Sequence, residues 1–170
     1  MTVDIGDNWM SAQPGEAPVV SPEQVEKYFR QYGWAFETLE PGLWRTGFRG
    51  ASDFHVIVLR LTDHWMYMSI SPFVDPPEAA ECRAQCYEAM LQYNREMNLA
   101  KFVLDEDNDV TLTVELPIEA LSYTVFSEGL TALAYYADDL YSELNALATD
   151  PKTISRFRSL NGRTLRALSA

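Results

Sequence analysis

Residues 87–117 read YEAMLQYNREMNLAKFVLDEDNDVTLTVELP, and this stretch decides the fold. It holds the end of a helix, a strand at Ala100–Leu104, an acidic turn at Asp105–Asp109 and a second strand at Val110–Leu116. In the second strand Val110, Leu112, Val114 and Leu116 alternate with Thr111, Thr113 and Glu115. That period of two turns one face of a strand to a core and the other away. Pro117 closes the run. The pattern is a scaffold with no catalytic residue in it.

Upstream, Ser21 is placed to cap a helix, with Pro22 in its first turn and Gln24 completing a Ser-x-x-Gln box. Val25, Tyr28, Phe29 and Tyr32 form its apolar stripe, and Gly33 ends it. Four short strands follow at Trp34–Leu39, Leu43–Phe48, Phe54–Leu61 and Trp65–Phe73. Their short connections predict antiparallel neighbours. Pro76-Pro77 opens a helix running to Met97, with Ala79, Cys82, Cys86, Met90, Tyr93 and Met97 on one stripe. A long helix runs from near Ser122 to Leu147, where Leu130, Leu133, Ala137, Leu140, Leu144 and Leu147 form a continuous seam. The fold class is α+β: an antiparallel sheet, built from a strand meander and a later hairpin, flanked by helices in the order α-ββββ-α-ββ-α. Residues 1–20 read as a disordered tail in which Trp9-Met10 is the odd apolar pair. Residues 21–149 form the domain, and 150–170 a basic helical tail bearing Ile154, Phe157 and Leu160.

The chain has 170 residues, a net charge of −12 and 47% hydrophobic residues, enough for a real core. The charge is uneven: 150–170 carry +4, the rest −16. An acidic body repels phosphate backbones, so no nucleic-acid partner is expected. The basic tail is expected to lie back on that body. No apolar run reaches the roughly 20 residues of a membrane span, so no membrane insertion is expected. Without a basic-then-apolar leader, and with two cysteines, the chain reads as cytoplasmic with reduced thiols.

Candidate chemistry is sparse. His55 lies in a strand and His64 in a turn, and surface or edge positions are the default for both. No serine or cysteine has a nucleophile context. Cys82 and Cys86 share a helix face without the spacing or partners of a redox pair or zinc site, and read as packing. Asp105, Asp107 and Asp109 imitate a calcium loop, but Val110 and Leu116 stand where glycine and glutamate are required. No metal, no cofactor and no enzymatic activity are expected. Aromatic residues are the real excess on the strands. Alternation puts Trp44 and Phe48 on one face of their strand, and Trp65, Tyr67 and Phe73 on one face of theirs. One sheet face must pack on helices; rings kept on the other would form a binding surface. Trp44, Phe48, Trp65 and Tyr67 are the candidate partner-binding residues.

The segment YNREMNLAKFVLDEDNDVTLTVELP at 93–117, with WRTGFRG at 44–50 and ADDLY at 137–141, resembles the YbjN family of bacterial proteins, and through it the type III secretion chaperone-like fold. The resemblance implies no catalytic residues and often a dimer. It also implies a regulatory, stress- or signalling-related role, or the binding of extended protein segments. A homodimer is therefore expected, and Cys82, Cys86, Tyr87, Met90 and Tyr93 are its candidate face. The leading expectation is a non-enzymatic, chaperone-like or regulatory protein-binding module. The alternative is a small-ligand sensor with an aromatic pocket between sheet and helices.

Overall fold

In the computed structural model residues 20–158 are described. The expectations for residues 1–19, Trp9-Met10 included, and for 159–170 lie outside them. The elements are α1 (Pro22–Tyr32), β1 (Glu37–Glu40), β2 (Leu43–Arg49), β3 (Phe54–Leu61), β4 (Trp65–Val74), α2 (Ala80–Glu96), β5 (Ala100–Leu104), β6 (Val110–Pro117) and α3 (Tyr123–Thr149), with a short 3-10 turn before α3. The six strands form one antiparallel sheet in the order β1-β2-β3-β4-β6-β5.

Local chemistry sets the ends of these elements. The Ser21 hydroxyl accepts from the Gln24 N–H at 3.3 Å, and Gly33 leaves α1 at φ 85°. Ser122 caps α3 by accepting from Val125 N–H. In the β5–β6 hairpin, Asp105 Oδ1 accepts from the Asp107 and Asp109 N–H groups, and Asn108 takes φ 66°. That is turn chemistry, with asparagine in the left-handed position that glycine usually fills.

Two boundaries differ from the sequence reading. β1 begins at Glu37 because Trp34 and Phe36 pack back onto α1: Phe36 stacks on Phe29 at 4.7 Å and Trp34 meets Tyr32 edge-on at 5.4 Å. The α2 helix begins at Ala80 because Pro76 and Pro77 hold the chain extended before it.

One layer of core fills the space between the sheet and the helices. Trp44, Ile57, Leu59, Met66, Met68, Leu112 and Val114 come from the sheet. Phe29, Cys86, Met90, Phe126, Leu130, Leu133 and Leu140 come from the helices. Gly129 lets α3 approach closely, since a Cβ there would stand 3.1 Å from Leu116 and 3.3 Å from Met68. The basic segment does lie back on the acidic body as far as residue 158. Arg156 bonds Glu143 at 2.6 Å and pairs with Asp139, and Arg158 pairs with Glu88. Phe157 packs on Tyr93 at 4.8 Å, and Gln85 on α2 holds the end of α3 by donating to the carbonyls of Leu147 and Asp150.

Candidate protein-binding surface

Register sorts the strand side chains into two faces. Trp44, Thr46, His55, Ile57, Leu59, Met66, Met68 and Ile70 point to the helices and are buried. Phe54, Val56, Val58 and Arg60 of β3 point the other way, as do Trp65 and Tyr67 of β4. Among the described residues no helix covers this second face. Phe54 keeps 49% of its surface exposed, Val56 44%, Val58 37% and Trp65 40%. Tyr67 is half-buried beside Arg60, its cross-strand neighbour.

Arginines frame this apolar strip. Arg45, across from Val58, is tied to Glu37 by a 2.5 Å ion pair. Arg49 holds its guanidinium 5.9 Å from the Phe54 ring centre. Neither Arg49 nor Arg60 has an ion pair among the described residues.

The structure therefore divides the predicted partner-binding set. Trp65 and Tyr67 stand on the open face. Trp44 does not: it is fully buried against Phe29, 6.5 Å between ring centres, and is a core residue. Phe48 shares Trp44's side of β2 and is half-buried between Trp34 and His55. Phe73 leaves the Trp65–Tyr67 face. The β4–β6 register shifts between Ile70 and Val74, where β4 advances four residues against two on β6, and this bulge turns Phe73 inward onto His55, Phe102 and Tyr141. Sequence reasoning missed Phe54, Val56 and Val58. The signal was the unbroken apolar run from Val56 to Leu59, which implies apolar side chains on both faces.

The candidate dimer face is also corrected. Cys82, Cys86, Met90 and Tyr93 are buried within this chain, Cys86 against Leu144 of α3 and Tyr93 against Phe157, so they present no exposed face to a second copy. Tyr87 remains half-buried, and the exposed apolar residue of α2 is Leu91, at 71%.

Burial and local partners shift the titratable groups beneath the helices. Burial, helped by Cys82, pushes the Cys86 thiol up to about 11, so it stays protonated and is a poor nucleophile. His55 is not a surface histidine: it is 5% exposed, ringed by Phe48, Phe73 and Tyr141. Burial lowers its pKa, and Asp53 and Asp138 only partly oppose this. Burial alone would raise the Glu143 pKa, but hydrogen bonds from the Arg156 backbone N–H and guanidinium outweigh it and hold it low. Among the described residues no helix is long and apolar enough to cross a membrane, and no group of three or more potential ligands is placed to hold a metal ion.

Two segments far apart in sequence meet at Gly50. The backbone N–H of Ala51 donates to Asp138 Oδ1, and a Cβ on Gly50 would lie 2.5 Å from that oxygen. WRTGFRG and ADDLY are thus two halves of one contact. A family model described as "Putative bacterial sensory transduction regulator" matches residues 21–146.

The chain belongs to the YbjN family.

The crystal structure of YbjN from E. coli superposes with a TM-score of 0.53 at 13% identity, covering 73% of this chain and 93% of that one. A chain of the heterodimeric ExoU–SpcU complex, from the type III secretion system of Pseudomonas aeruginosa, superposes with a TM-score of 0.52 at 14% identity, covering 72% and 96%. Both likenesses establish the type III secretion chaperone-like fold of this YbjN family member. No curated protein matches the sequence.

Proposed function

We propose that this YbjN family member is a non-enzymatic protein-binding module, chaperone-like or regulatory, that receives a partner segment on the open face of its sheet. The observation that carries the reading is the strip of Phe54, Val56, Val58, Trp65 and Tyr67, exposed or half-exposed on a rigid sheet. Contiguous exposed apolar side chains on a stable scaffold mark interaction sites. Aromatic anchors rimmed by arginine are the usual composition of their energetic centres. Arg49 and Arg60 favour a segment whose apolar side chains are flanked by carboxylates. The shared fold of a chain within a two-protein secretion complex is in keeping with this role.

A homodimer belongs to the same proposal. With the α2 stripe occupied within the chain, a second copy would use the open sheet face or the side of α2 that carries Tyr87 and Leu91. Cytoplasmic residence is proposed with it.

The test is affinity capture from an extract of the source cells, comparing the wild-type protein with Val56→Asp and Trp65→Ser. Circular dichroism and urea midpoints establish that all three are folded. A stoichiometric protein held by wild type and lost by both variants supports the surface. A protein retained equally by all three removes the sheet face from the proposal.

A further inference from the structure

The sheet has a fork in it. β3 and β4 pair from Leu61↔Met66 only as far as Val58↔Ser69. Beyond that point β3 continues on β2 to Phe54↔Arg49, while β4 continues on β6 to Val74↔Val110. Pro72 lies in the diverging stretch and has no N–H to offer a ladder. The opening is a cavity of about 300 Å³ lined by residues of both strands and by Tyr141 and Asn145 of α3.

The lining has one sign of charge. Asp53 and Asp75 border it, and no lysine or arginine does. Both carboxylates raise the Tyr141 pKa, Asp53 more than Asp75. Asp53, Asp75 and Tyr141 line the same cavity. The Asp53 Oδ1 is partly occupied by the Phe54 N–H at 2.7 Å. Asp75 has neither ion pair nor hydrogen bond among the described residues. Phe54, Phe73, Tyr141 and His55 are also among the lining residues. His55 is 5% exposed, and its imidazole has no hydrogen-bond partner among the described residues. Burial lowers its pKa and so disfavours a competing positive charge there.

We propose that this fork binds a small organic cation, an alkylammonium or guanidinium group held between the aromatic rings and the carboxylates of Asp53 and Asp75. Ring faces attract such cations most strongly where water is thinned out, and a paired carboxylate supplies the counter-charge that a ring cannot. The chain contains a nearby instance, since the Arg49 guanidinium already lies 5.9 Å from the Phe54 ring. The volume suits one amine or guanidine head with a short alkyl stem, at the small end of ligand pockets. The site rests on different residues from the apolar strip except at its rim, where Phe54 and Val56 belong to both, and it stands if that strip has no partner.

The cation has two sources, a free metabolite amine or a lysine or arginine side chain of a partner. The experiment is a titration of the folded full chain followed by ¹H–¹⁵N NMR, with agmatine in one arm and a capped Gly-Lys-Gly peptide in the other. Saturable shifts confined to residues 53–56, 71–75, 141 and 145 are expected, weakened about tenfold or more in Asp75→Asn and reduced by added salt. Binding of agmatine alone assigns a free amine, and binding of the peptide alone assigns a partner's side chain. Asp53→Asn is the second variant, because asparagine can still accept from the Phe54 N–H. The proposal is overturned if neither probe gives saturable shifts, if uncharged n-butanol shifts the same amides equally, or if both asparagine variants bind like wild type.

Discussion

The two faces of β3 are built from similar material and end in opposite situations. Ile57 and Leu59 are fully buried under the helices, while Phe54, Val56 and Val58 on the reverse meet solvent. Hydrophobicity alone does not separate the sets; coverage by helices does. Each large apolar side chain left in water forgoes about 1.5–3 kcal/mol that burial would return. The covered face has already used that free energy for folding. The open face holds it in reserve for association.

This contrast can be broken in order of size. Trp44→Ala should cost about 3–5 kcal/mol, read as a fall in urea midpoint. A loss below about 1 kcal/mol would mean that the helix side is not the true core. Phe157→Ala should come next, at about 1–2 kcal/mol, because its ring seals Tyr93 from outside. An unchanged midpoint would detach the segment at 156–158 from the covered layer. Val56→Asp should change stability by less than about 0.5 kcal/mol while abolishing partner capture. A large destabilisation would show that the open face is covered in solution.

The smallest effect is a pH slope. Because the folded state depresses the His55 pKa, the unfolded chain takes up its proton first as pH falls. His55 therefore contributes stability that is present above about pH 6.5 and is lost as pH falls toward the folded value. His55→Gln should flatten that part of the stability–pH curve. An identical slope in wild type and variant would remove His55 as its source.

Much of this architecture was legible because local rules and burial agreed. The Ser21 cap and the α3 seam are local signals that the structure keeps, and Val110–Leu116 is the predicted strand, although Thr111 and Thr113 on its reverse side are buried as well. The candidate site was legible only in part. Trp44 and Trp65 look alike in sequence, and which face the helices cover is settled by chain crossings that periodicity does not encode. Phe73 was misplaced by a bulge: β4 advances four residues from Ile70 to Val74 while β6 advances two from Leu112 to Val110, and strict alternation fails inside that stretch. The α2 stripe was seen correctly as apolar but assigned to a second copy, when α3 and the segment carrying Phe157 already occupy it. The fork between β3 and β4 had no signal beyond Pro72.

The buried cysteines give this molecule a built-in clock. Cys82 and Cys86 are 2% and 0% exposed and unpaired, and sit on the one helix locked in place by both α3 and Phe157. A thiol reagent should reach them only when that corner opens, so the rate of labelling measures the opening equilibrium directly, residue-specifically and without denaturant. With no engineered probe, the wild-type chain can report whether an occupant of the distant sheet face tightens the fold or loosens it.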